Sequence, residues 1–131
     1  MMIEMRIRTK KKEECIDITS HISEKIHSQK ITNGLAHIFV PHTTAAVTIN
    51  ENADPDVVYD ILKGLADIVP RHGFRHVEGN SPAHIKSSLI GPSLCVNVKD
   101  GTLMLGTWQG IYLCEFDGPR ERKVWLHFIF K

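Results

Sequence analysis

LCVNVKDGTLMLGTWQGIYLCEFDGPRERKVWLHFIF, residues 94–130, decides the fold class of this chain. LCVNV alternates apolar and polar side chains, the period of a strand with one buried face. Asp100-Gly101 supplies a two-residue hairpin turn, and TLMLGTW returns as a partner strand. GIYLCEF reads as a further strand, and KVWLHFIF as the last, with Val124, Leu126, Phe128 and Phe130 on one face. Strands joined by such short turns predict an antiparallel meander rather than βαβ units. Two polar corners interrupt them: Trp108-Gln109 between glycines, and Asp117-Gly118-Pro119-Arg120. Each is either an ordinary turn or one wall of a site.

Working backwards, ADPDVVYDILKGLADIVP (residues 53–70) carries the clearest helix signal. Asp54 is an N-cap, Pro55 takes the favoured first position, and Val58, Ile61, Leu62, Leu65, Ile68 and Val69 form an apolar stripe that Pro70 stops. Ser81-Pro82 repeats the start signal for a shorter helix, AHIKSSLI, closed by Gly91. Thr19 or Ser20 caps a helix across His21 to Gln29, with Ile22 and Ile26 four apart. Met2–Thr9, Cys15–Ile18, LAHIFV after Asn33-Gly34, and TAAVTI (from Thr44) complete about seven strands. The expected class is therefore α+β, one domain over residues 1–131, with an antiparallel β-sandwich-like core and two to three helices.

Bulk composition excludes several classes. Apolar residues make up 42% and charged residues 24%, as in a globular domain. The 16 basic and 15 acidic residues leave a formal charge of +1, which gives no bulk attraction to nucleic acid or a membrane surface. The N-terminal stretch lacks the apolar core of a signal peptide, and no run approaches a membrane span, so a cytoplasmic protein is expected. Cys15, Cys95 and Cys114 sit in strand-like runs without C-x-x-C spacing, and are expected to be buried small hydrophobes rather than a disulfide framework.

Eight histidines invite a search for chemistry. His21 and His27 fall on a helix surface, and His37 and His127 alternate with apolar residues in strands. His42 differs: it follows Pro41 where a strand emerges, and Thr43 and Thr44 come next. The second strand of that segment ends in Asn50-Glu51-Asn52 just before a helix N-terminus, where free N–H groups favour an anion. Asp54 reads as a cap; Glu51 is either a ligand to a hard cation that bridges to a phosphate or part of an Asx-type turn. His84 lies near the start of the short helix, with His76 upstream, and the helix dipole there favours the neutral imidazole that a ligand or general base requires. Trp108 offers a flat platform, and Arg120 a planar fork for phosphate.

Taken together, HTTAAVTINENADPDV, EGNSPAHIKSSLIG and DGTLMLGTWQGIYLCEFDGPRERKV resemble the YjbQ-like family, whose members are described as secondary thiamine-phosphate synthases. The matching segments span residues 42–124. One departure is that many relatives read D-N-A-P-A-H where this chain has Gly79-Asn80-Ser81-Pro82-Ala83-His84. The resemblance implies a homotrimer and one pocket, either within a chain or completed by a neighbouring subunit, containing His42, Thr43, Thr44, Asn50, Glu51, Asn52, His84, Trp108, Gln109 and Arg120, with His76 and Asp117 nearby. His42, Glu51 and His84 are then the expected catalytic residues, with a divalent metal, magnesium or zinc, held among them. The implied reaction joins a pyrimidine methyl diphosphate to a thiazole phosphate with loss of pyrophosphate. Two other readings stay open. One is a metal-assisted hydrolase with zinc on His42 and His84 and Glu51 as base; the other is a non-enzymatic trimer that binds a phosphorylated metabolite.

Overall fold

The computed structural model describes residues 1–130. In chain order the elements are β1 (Met2–Arg8), β2 (Glu14–Asp17), α1 (Thr19–Ser28), β3 (Gly34–Phe39), β4 (Ala45–Glu51), α2 (Pro55–Ile68), α3 (Ser81–Ile90), β5 (Ser93–Lys99), β6 (Thr102–Leu103), β7 (Gln109–Glu115) and β8 (Glu121–Phe130). They form two antiparallel sheets, a five-stranded one ordered β1-β8-β3-β5-β6 and a three-stranded one ordered β2-β7-β4. The α+β sandwich expected from the sequence is what the chain adopts.

The main core lies between the sheets. Met5, Ile7, Ala36, Ile38, Val96, Val124, Leu126 and Phe128 come from the larger sheet, and Ala45, Val47, Ile111 and Leu113 from the smaller. Ile22 and Ile26 of α1 plug one side of it. A second, smaller core covers the other face of the three-stranded sheet. There Ala46, Tyr112, Cys114 and Phe116 meet Ala83 of α3 and Val58, Leu62 and Leu65 of α2. β7 is therefore covered on both faces, which is why GIYLC is continuously apolar while β5 and β8 alternate.

Asp100 and Gly101 both have positive φ, as a tight hairpin requires, and Val98 pairs with Leu103. The meander expected for the last third is not formed, however. β6 stops after two residues, because Gly106 donates its N–H to the Gln109 side chain at 2.7 Å and bends the chain away. β7 then joins the other sheet, and residues 117–120 carry the chain back so that β8 pairs between β1 and β3. A local pattern announces strands but not which sheet each one enters.

The caps also differ in part. Asp54 accepts the Asp56 N–H at 2.9 Å, as expected. Thr19 does not cap α1: it donates to Asp17 Oδ1 and accepts the Ile111 N–H at 2.8 Å, tying the helix to β7. The cysteines are not uniformly buried either. Cys114 is buried and Cys15 half-buried, whereas Cys95 is exposed on the outer face of β5. No helix among the described residues is long and apolar enough to cross a membrane.

Candidate functional site

One end of the three-stranded sheet gathers the polar groups. β4 begins there and β7 ends there, with Ala45 opposite Glu115. Arg122 and Glu115 are both buried beside it. Arg122 Nε donates to Glu115 Oε1 at 2.8 Å, and its Nη2 donates to the second carboxylate oxygen and to the carbonyl and hydroxyl of Thr44. Thr9 Oγ1 and the Asp117 N–H donate to the same carboxylate. Burial pushes the Glu115 carboxyl up, but the hydrogen bonds from Arg122, Asp117 and Thr9 outweigh it and hold the group below the usual value.

His42 sits on the loop between β3 and β4, above this pair. Its Nε2 accepts the Lys123 backbone N–H at 2.9 Å, so the ring is neutral there and carries its proton on Nδ1. Burial lowers its pKa, and Arg122, Arg120 and Lys123 lower it further against a smaller opposing pull from Glu115. The His42 contribution to stability is therefore complete above its unfolded value near 6.5 and is lost as pH falls through the lower folded value. Relative to a His42→Gln variant, which can accept the same N–H without titrating, the wild type should lose stability to urea between neutral pH and pH ~5. Parallel curves for the two proteins would show that residue 42 does not titrate in that range.

His42 and His84 line one cavity of about 300 Å³, together with Thr43, Ser87, Ser88 and Pro92. α3 is brought there because Val47 of β4 donates to the Gly91 carbonyl and Val40 to that of Pro92. The His76 ring packs edge-on against His84, with centroids 5.5 Å apart. Ser87 is 7% exposed, and its hydroxyl has no hydrogen-bond partner among the described residues. An unpaired buried hydroxyl costs about 1–3 kcal/mol, a cost that a ligand in the cavity can recover. Ser87 and Ser88 were missed in the sequence, where only a spacing of three or four from His84 on a helix pointed to them. On the other side of α3, a second hollow of about 320 Å³ is lined by Lys12, Arg71, Asn80, Lys86 and Asp117. Asn80 donates to Asp117 Oδ2 at 3.0 Å instead of capping α3, and its own Oδ1 is unpaired.

The remaining candidates lie elsewhere. Antiparallel pairing sets Glu51 opposite Gln109, six residues along β4 from Ala45. Asn50, Glu51, Asn52, Trp108 and Gln109 are thus about 20 Å from the His42 end of the same strand. Some of their polar groups are engaged locally: Asn50 Oδ1 accepts the Glu51 N–H, Asn52 donates to Asp17, and Tyr112 donates to the Glu51 backbone carbonyl. Trp108 is 63% exposed. One chain therefore does not bring the Trp108-Gln109 corner and the Asp117–Arg120 corner into a single pocket. Arg120 folds back on Asp117, donating to its carbonyl and carboxylate at 3.0 and 3.1 Å. Nor does the expected metal set assemble: two imidazoles share the cavity, Glu51 is at the far end, and no group of three His, Cys, Asp or Glu converges among the described residues.

The sequence profile described as UPF0047 protein YjbQ-like matches residues 3–131. The chain belongs to this family. It is 52% identical over 130 residues to UPF0047 protein MJ1081 of Methanocaldococcus jannaschii, covering 98% of this chain and 94% of that protein. It is 51% identical over 128 residues to UPF0047 protein YugU of Bacillus subtilis, covering 96% and 97%. Among solved structures, a YjbQ/UPF0047 family protein from Clostridium acetobutylicum superimposes with a TM-score of 0.93 at 51% identity, covering 97% of this chain and 99% of that one. A hypothetical protein from Aeropyrum pernix gives 0.94 at 36% identity, covering 100% and 99%. The YjbQ-like sandwich is thus retained at identities low enough for much of the surface to differ.

Proposed function

We propose that this YjbQ-like protein is an enzyme acting on a phosphorylated small molecule, with the phosphoryl group seated in the His42–His84 cavity. The supporting observation is the buried, unpaired Ser87 hydroxyl in the same cavity as a histidine held neutral. The walls offer donors and no carboxylate: the His42 ring, His84, and the hydroxyls of Thr43 and Ser87, while the Ser88 hydroxyl is spent on the His84 carbonyl at 3.0 Å. The cations that disfavour an imidazolium at His42, namely Arg122, Arg120 and Lys123, favour an anion for the same Coulombic reason. His84, free of the Lys123 bond, is the candidate proton-transfer group, and His42 the orienting donor.

Thiamine-phosphate synthesis is the specific reaction we infer from the family resemblance. It needs a flat slot and a second charged patch, which the cavity of one chain does not supply. A homotrimer answers both needs if the Glu51–Trp108–Gln109 end of one copy abuts the His42 end of the next. The outer side of α2 supports such assembly, since Tyr59 and Ile68 are exposed and no residue of that helix is fully buried. Magnesium or zinc would draw its ligands from two copies, with His42 and His84 from one and Glu51 from the next.

Calorimetric titration with inorganic phosphate and pyrophosphate tests the seat. Ser87→Val and His42→Ala should each weaken binding roughly tenfold, the worth of one hydrogen bond to a charged ligand. Unchanged affinity in both variants would refute the seat. Thiamine phosphate formation by wild type, with and without divalent metal, tests the reaction; its absence at saturating substrates would remove that reaction while leaving the seat standing.

A further inference from the structure

Cys15 and Cys114 face each other across the ladder between β2 and β7. Ile18 donates its N–H to the Ile111 carbonyl, which fixes the alternation of the ladder and makes the cysteines a non-hydrogen-bonded pair. In such pairs the Cα atoms stand about 4.5 Å apart, inside the range that a disulfide spans. The sulfurs are 3.7 Å apart. Closure to a covalent bond needs an approach of about 1.7 Å. β2 is a four-residue strand at the edge of its sheet, bonded to β7 alone, and is the side free to move.

The two thiols differ in access. Cys114 is 2% exposed, whereas Cys15 opens into a groove of about 560 Å³ under α2, bordered by Lys11, Pro55, Tyr59 and Lys63. The S–H···S contact between the two lowers the Cys15 pKa against the opposing effects of burial and of Glu13 and Glu14, while the same contact and burial hold Cys114 well up. Solvent therefore reaches the better thiolate and is kept from its partner, the arrangement of an attacking and a resolving thiol.

We propose that Cys15 and Cys114 are a reversible dithiol–disulfide pair that is closed by hydroperoxides. The Cys15 thiolate attacks the terminal oxygen of ROOH, the O–O bond breaks, and ROH leaves after protonation. Cys15 is then a sulfenic acid. The Cys114 sulfur attacks it, the S–S bond forms, and the hydroxyl departs as water with the proton of Cys114. Two thiols and one hydroperoxide give one disulfide, one alcohol and one water, a two-electron oxidation of the protein. A small dithiol reopens the bond by exchange and carries the two electrons back in.

Hydrogen peroxide applied to the Cys95→Ser protein tests this, since Cys95 is exposed and would otherwise form links between chains. The intact mass should fall by about 2 Da with loss of both thiols and no dimer, and dithiothreitol should restore it. Peptide mapping should show a Cys15–Cys114 link. The closed form should melt roughly 5–15 °C higher, because a bond across 99 positions restricts the unfolded chain. Adding Cys114→Ser should leave a sulfenic acid at residue 15 that dimedone traps, and adding Cys15→Ser should leave Cys114 reduced. The pair is refuted if the protein holding both thiols stops at oxygen adducts without a link, or if Cys114 oxidises equally fast in the absence of Cys15.

Discussion

Arg122→Met is expected to cost about 3–5 kcal/mol in urea unfolding, because it strands a buried carboxylate. Glu115 is fully buried and Arg122 is 1% exposed, so water cannot take over the lost contacts. The remaining donors to Glu115, Thr9 Oγ1 and the Asp117 N–H, are neutral and cannot balance its charge. For a domain of this size the melting temperature should fall by roughly 10 °C or more. A Glu115→Leu, Arg122→Met double variant should recover most of the loss, since an apolar pair of similar volume carries no desolvation cost. If the double variant is as unstable as the single one, the damage lies in packing and not in unpaired charge. The pair also holds Thr44, two residues from His42, and Arg122 adjoins Lys123, whose N–H the His42 ring accepts, so Arg122→Met should weaken phosphate binding beyond its effect on folding.

The second large effect is expected at Gly118. A methyl group there would lie 2.3 Å from the Lys11 carbonyl oxygen and 2.9 Å from Glu115 Cγ and Thr9 Oγ1. Two of these neighbours belong to the buried polar network and the third is backbone, so none can swing aside as an exposed side chain would. Relief requires moving the turn away from residues 9–12, which also strains the Gly118 N–H bond to the Lys12 carbonyl at 2.9 Å. Gly118→Ala should therefore cost about 3 kcal/mol, the upper end for overpacking. Gly64, in the middle of α2, has nothing within 4 Å of the same added atom. Gly64→Ala should stabilise by about 0.5–1 kcal/mol, the helix preference alone. Equal small effects at both positions would show that the turn at 117–120 is not wedged against residues 9–12.

Much of this was legible in the chain itself. The alternation in LCVNV and KVWLHFIF, the Asp100-Gly101 turn and the Asp54-Pro55 start are short-range signals, and each element they announced is present. His42 and His84 were singled out by local context, and they share a cavity. What the sequence left open was the partner of each strand beyond the local hairpin. Direction along a strand is a local property, but a partner is chosen by burial across the whole molecule. Thus β7 crossed to the smaller sheet, and its antiparallel register with β4 carried Trp108 and Glu51 away from His42. The register of β7 with its other neighbour, β2, set Cys15 against Cys114, ninety-nine positions apart, which no spacing in the sequence announces. Glu115 and Arg122 lie seven positions apart with no local pattern that pairs them, and only the closure of the tertiary structure over both excluded water and made them one buried unit.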